Sequence, residues 1–222
     1  MSFGPIMRFT VSELQIELAP LNREVMGEFI NPGLQQVSVN RYLGRHNAFV
    51  LEDEQAWYDR TREDQSSMVW GIWLIEDEKR TLIGNSALTG ITVDHIRQAT
   101  SGSLIFKKEL WGKGIASAAH KARTWYAFHE MGLHRIMSAV LHGNGGSLKA
   151  LQRSGYDLVY VERNTAFING RLIHQDNLAC LNPNEPFWSQ WWHGERPTSR
   201  AIAARKLTQE ALDWAEKNVE LA

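Results

Sequence analysis

Two short stretches carry residue types whose spacing could do chemistry. The first is Trp111-Gly-Lys-Gly-Ile-Ala116, set where an apolar strand pattern hands over to a helical one. The first turn of a helix leaves backbone N–H groups unpaired at the positive end of its dipole, so an anion fits there. Two glycines let the backbone approach a diphosphate closely, and Lys113 can screen its charge. Lys107, Lys108, Lys121 and Arg123 add to the positive field, against Glu109 as the one acid. A tight turn before a solvated helix face is the plainer alternative. The stretch is not a Walker loop, since Lys107 and Gly114 stand where that pattern needs Gly and Ser or Thr, and a Gly-x-Gly-x-x-Gly fingerprint fails at Ser117. The second stretch is Asn144-Gly-Gly-Ser147, which opens a short apolar-patterned helix ending at Gly155. Asn144 or Ser147 could simply cap that helix. The pairing of the two stretches in one strand–helix–strand context is what gives them chemical weight.

The elements that must position them follow from periodicity. Leu14, Ile16 and Leu18 alternate as a strand, and two short helices follow, through Asn31-Pro-Gly33 and around Trp57 and Tyr58. Val69–Ile75, Leu82–Ile91 and Ser101–Phe106 form a three-strand meander, the first two joined by the polar Glu76–Arg80. Ile115, Ala118, Ala119, Ala122, Trp125, Tyr126 and His129 recur at helical steps over 115–130, closed by Gly132. His134–Leu141 is a strand, 147–154 a short helix, and Tyr156–Phe167 with Arg171–Leu181 a hairpin about Asn169-Gly170. The pattern predicts a mixed sheet with helices packed on it.

Composition narrows the class. Across 222 residues, 24 Lys and Arg balance 25 Asp and Glu, so no global field draws a polyanion and nucleic-acid binding is not expected. The apolar run Met68–Ile75 is too short to span a bilayer. The N-terminal residues lack a secretory pattern, and the single Cys180 can form no internal disulfide, which fits a reducing cytoplasm.

With these motifs in place, the chain resembles the GNAT superfamily of N-acetyltransferases, and within it the branch that acetylates amino termini of ribosomal proteins. The resemblance runs from about Leu14 to Pro183. It is carried by Leu82-Ile-Gly-Asn85, Glu109-Leu-Trp-Gly-Lys-Gly-Ile-Ala116, Arg135-Ile136, Asn144-x-x-Ser147 with Gly155-Tyr156, and Ile168-Asn-Gly-Arg171. It implies an α+β (mixed α/β) fold, a central, mostly antiparallel mixed sheet of about seven strands with helices on both faces. It further implies a V-shaped splay that holds acetyl-CoA as co-substrate, with no metal. The pantetheine arm would pair with the backbone of Ile105 and Phe106. The diphosphate would lie on Trp111, Gly112, Lys113, Gly114, Ile115 and Ala116. Asn144 would bind the pantetheine amide, and Ser147 would protonate the departing thiolate.

Four positions depart from the family pattern. Glu109 replaces the usual Gln or Arg, Leu151 stands where many relatives carry a Tyr acid, and Ala166 and His174 replace two acids of the terminus-acetylating enzymes. Acetyl transfer to an ammonium also needs a base. His142, His174, Asp94 and Asp176 lie near strand ends, and His174 joins Ser147 and Asn144 as the expected catalytic set. The segment 52–64 holds six acids and two arginines and could form an acceptor wall for a cationic amine, or merely a solvated helix face.

Residues 1–182 read as the acetyltransferase domain and 183–222 as an extension. In the extension, Trp188, Trp191 and Trp192 share a helical face, and Ala204, Leu207, Ala211, Trp214 and Leu221 line a second stripe. Such a stripe needs cover from this domain, another protein or a second copy, and a homodimer is the expectation. The expected activity is acetyl transfer to a primary amine, on a protein amino terminus, a peptide, or a small amine or antibiotic. The alternative is a non-catalytic acyl-CoA-binding sensor or scaffold.

Overall fold

The computed structural model describes residues 2–31, 33–44, 47–77, 79–185 and 187–222; Pro32 of the first turn and Glu78 of the meander's polar connection lie outside them. The strands are β1 (Met7–Val11), β2 (Leu14–Ala19), β3 (Met68–Glu76), β4 (Lys79–Thr92), β5 (Gln98–Ile105), β6 (Arg135–Leu141), β7 (Asp157–Ile168), β8 (Arg171–Leu181) and β9 (Glu220–Leu221). They form one nine-stranded sheet in the order β7-β8-β6-β5-β4-β3-β2-β1-β9. β5 and β6 run parallel, and their ladder covers only Gln98–Thr100 against Arg135–Met137. The helices are α1 (Met26–Ile30), α2 (Val37–Asn40), α3 (Leu51–Glu63), α4 (Ile115–His129), α5 (Gly145–Gln152), α6 (Phe187–Trp192) and α7 (Ser199–Asn218).

The two strands beyond the seven expected are β1 and β9. Met7 and Phe9 bury alternately and pair with Leu18 and Ile16, so a hairpin, not a single strand, opens the chain. Three helices then follow where two were expected, α1 and α2 of about one turn each and the longer α3. At the other end, the Asn218 side chain donates to the Trp214 carbonyl and closes α7. The residues beyond leave the helix, so Leu221 pairs with Met7 in the sheet instead of continuing the helical stripe.

The chain packs as two compact units. The first comprises Met1–Thr89, Gly102–Ala119 and Val219–Ala222. Its core gathers Met26, Phe29, Leu34 and Phe49 from the helical segment onto Val69, Trp73, Leu82 and Phe106. Trp57 packs edge-on to Phe29 at 6.1 Å, so the apolar face of α3 turns inward.

The second unit comprises Gly90–Ser101 and His120–Asn218. Ala122, Phe128, Leu133, Ile136, Val140, Leu151, Tyr156, Leu178 and Cys180 form its interior. Here α7 buries Ala201, Thr208, Ala211, Leu212 and Ala215. That stripe differs from the expected one, and Leu207 faces solvent. The reason is close backbone packing. A Cβ placed on Gly155 would stand 2.0 Å from Thr208 Oγ1 and 2.6 Å from its backbone nitrogen, so a face of small residues meets β7 and β8. Thr208 Oγ1 also lies 3.5 Å from Cys180 Sγ. The buried face of α7 therefore finds its cover within the second unit.

Candidate functional site

The anion-binding stretch lies in the first unit. After β5 the chain makes one 3-10 turn, Lys108–Leu110, and then reverses into α4 through Gly112 and Gly114, at φ of +79° and +86°. Both values belong to the left-handed region where a side chain is strained, which is why glycine recurs there. Ser12 Oγ donates to the Lys113 carbonyl and pins the loop from the β1–β2 turn. Among the described residues, none of the N–H groups from Gly112 to Ala116 has a partner. Trp111 is half exposed, and its indole N–H donates to the Ile105 carbonyl at 2.8 Å. The Phe106 N–H donates to the Ile83 carbonyl. The Phe106 N–H is thus engaged within the unit, while the Ile105 carbonyl keeps a second lone pair. Glu109 is exposed on the 3-10 turn. Arg123 is fully buried and adds nothing to the surface field, contrary to the sequence reading; helical phase turns it inward, with a guanidinium nitrogen 2.7 Å from His120 Nδ1.

The second stretch and the candidate bases lie in the second unit. Asn144 is the N-cap of α5, its Oδ1 accepting from the Ser147 N–H at 3.3 Å. That settles the capping alternative for Asn144 and leaves its amide NH₂ as the group that could meet a ligand. The Ser147 hydroxyl is half-buried and has no partner among the described residues.

Just before this cap, β6 ends beside β8. His142 N–H donates to the His174 carbonyl, and the two rings sit edge to face with centroids 5.4 Å apart. His142 Nε2 lies 2.8 Å from Asp176 Oδ1. Residues 174 and 176 share a face of β8 because side chains alternate along a strand. A bulge in β7 between Glu162 and Ala166 puts Asn164 at φ +59° and aims its N–H at His174 Nδ1, 3.1 Å away. Asp94 is not part of this group. It precedes β5, near the starting end of β6, and seven residues of strand rise, about 23 Å, separate Arg135 from His142. The sequence reading missed Asn164, whose contribution is a backbone group. Alternation along β8 could have paired His174 with Asp176 in advance.

Behind these groups the second unit buries polar chemistry. Burial, reinforced by the Arg123 charge, drives the His120 pKa well below the usual imidazole range. Burial also pushes the Cys180 thiol up to about 12 and raises Tyr156.

The acidic segment of α3 is largely spent on its own fold. Asp53 accepts from the Val50 N–H at the helix start, and Asp59 pairs with Arg23. Asp64 accepts from Ser67 and Ser66, which lowers its pKa. Glu52 and Glu63 remain exposed. Among the described residues no helix is long and apolar enough to cross a membrane, and no cluster of His, Cys, Asp and Glu has metal-site geometry.

Comparison with known proteins identifies the family. Residues 15–157 match the acetyltransferase (GNAT) domain family. The probable N-acetyltransferase YjcK of Bacillus subtilis is 33% identical over 128 residues, which span 58% of this chain and 69% of that protein. Among solved structures, RimJ of Mycobacterium smegmatis in complex with CoA-disulfide superposes with a TM-score of 0.68, at 16% identity over 99% of this chain and 97% of that one. Spermidine N-acetyltransferase of Vibrio cholerae, in complex with CoA and spermine, superposes at 0.66, with 23% identity over 75% of this chain and 95% of that one. A glycine-turned helix start with open N–H groups, a capped helix presenting a serine, and a family match over most of the chain lead to one conclusion: the chain belongs to the GNAT acetyltransferases, and it is an acetyltransferase enzyme.

Proposed function

We propose that the protein transfers the acetyl group of acetyl-CoA to a primary amine by direct attack, with Ser147 returning a proton to the leaving thiolate. The observation that carries this reading is the unpartnered Ser147 hydroxyl. Asn144 already caps the helix, so Ser147 has no structural duty that would account for its oxygen. The diphosphate would rest on the N–H groups of Gly112 to Ala116, flanked by Trp111 and Lys113, and the amide NH₂ of Asn144 would address the pantetheine arm. Proton removal from the acceptor falls to one of the two histidines at the strand ends, His142 or His174.

The acceptor is an amine on a protein amino terminus, a peptide or a small molecule such as a polyamine, in a reducing compartment such as the cytoplasm. The experiment is steady-state release of free CoA with a panel of spermidine, amino-glycosidic amines and peptides with varied amino-terminal residues. Turnover on the peptides alone identifies an amino-terminal enzyme, and turnover on spermidine alone a polyamine enzyme. CoA that binds without release on any amine refutes the reading.

A further inference from the structure

Resting on the acetyltransferase reading above, we infer that His142, oriented by Asp176, is the group that takes the proton from the acceptor ammonium, while His174 is held beside it in a tautomer that cannot. Each of the two rings meets a partner with only one possible role. An ionised carboxylate only accepts, so the 2.8 Å contact with Asp176 Oδ1 requires the hydrogen of His142 to sit on Nε2. Its Nδ1 then carries a bare lone pair, with no partner among the described residues. A backbone N–H only donates, so the 3.1 Å contact from Asn164 requires His174 Nδ1 to be the acceptor and Nε2 to hold the hydrogen. His174 therefore has its lone pair already occupied, and its neighbour does not.

The placement fits the task. His142 stands two residues before the Asn144 cap, within about 7 Å along the chain. Its side chain is 43% exposed, against 16% for Asp176, so the base faces solvent while its orienting carboxylate is sheltered. The groups around it are Asp176 and His174 from β8 and, in the β7 segment next to the bulge, Glu162 opposite Gln175 and Arg163. In the step itself, the ammonium N–H bond breaks and its proton passes to His142 Nδ1, giving an imidazolium paired with Asp176. The freed amine lone pair forms the C–N bond to the thioester carbonyl carbon. The C–S bond then breaks, the thiolate takes the Ser147 hydroxyl proton, and Ser147 recovers one from the nitrogen of the adduct. His142 loses its proton to solvent.

The test has a part that needs no acceptor. Nitrogen-15 shifts of the histidine rings in the full-length protein with CoA are expected to report the Nε2–H tautomer for both His142 and His174, and Asp176→Asn to release His142 from it. In turnover, His142→Gln is expected to lower kcat/KM by about 10² or more, with CoA affinity and melting temperature kept. His142→Gly is expected to recover rate with imidazole added to the buffer, which a merely structural role would not do. Asp176→Asn, at a positioning residue, is expected to lower kcat while leaving the acceptor KM and the affinity for CoA unchanged, a split that a merely structural role would not give. An Nδ1–H tautomer at His142, or His142→Gln turning over within about threefold of the wild type, overturns the assignment. If the wild type binds CoA but acetylates no amine, the acetyltransferase reading fails and the base falls with it. That case is distinguishable, because the wild type itself is then silent.

Discussion

The loop at Gly112–Ala116 and the cluster around His142 offer two different kinds of atom. The loop offers backbone N–H groups, and all it asks of the sequence is two residues that tolerate positive φ at the start of a helix. The cluster offers side chains from two strands, oriented by a bulge in a third. Backbone sites tolerate change in most of their side chains and fail when the chain cannot bend. Side-chain sites keep their fold when changed and lose their chemistry.

That contrast can be broken or sharpened by four experiments. Ser147→Ala is expected to lower kcat by about 10² to 10⁴ with CoA binding preserved, read by release of free CoA. Its melting temperature should not fall, since Asn144 is the cap. Gly114→Asp is the loop's counterpart. It places a carboxylate at φ +86° among the open N–H groups. It should abolish the stabilisation of about 2.7 kcal/mol that CoA gives the wild type at about 100 times its dissociation constant, read by scanning calorimetry. NAD and ATP should give little at matched concentration. If Gly114→Asp still gains from CoA, the loop is a turn and nothing more.

The third experiment uses pH. The folded protein holds His120 below its ordinary pKa, so below about 6.5 the unfolded chain binds the proton first. Stability is therefore full above that pH and falls by about 1.4 kcal/mol per pH unit below it, until the folded pKa is reached. His134, lowered by burial and by Arg97, acts in the same sense. Urea midpoints across pH 5 to 8 should show the slope, and His120→Gln should reduce it without removing it. The smallest effect is expected from Asn144→Ala, about 1 kcal/mol of lost capping seen in the same midpoints.

Legibility followed the same division. The helix of 115–129, the meander and the Asn169-Gly170 hairpin were all plain, because each rests on local periodicity or on a turn residue with one use. The loop was legible for that reason too. Arg123 was misread because a charge counted in sequence carries no record of helical phase. The His142–Asp176 pair was visible only as scattered candidates. Its geometry depends on the register of β6 against β8, and Asn164 on a bulge, and neither leaves a mark in residue type. The short β1 was missed because its connection to β2, Ser12-Glu13, takes positive φ without the Gly or Asn that marks such a turn, and β9 because it becomes a strand only by pairing with β1, far along the chain.

The seat of α7 on Gly155 and Cys180 gives the protein a built-in clock. Its single cysteine is buried, its thiol pushed up to about 12, with the Thr208 hydroxyl of α7 against the sulfur. A thiol in that state does not react with disulfide reagents, because neither the thiolate nor access is available. Reaction has to wait for α7 to lift. The rate at which such a reagent consumes Cys180 therefore counts openings of the C-terminal helix, one molecule at a time, with no engineered label and no change to the candidate site.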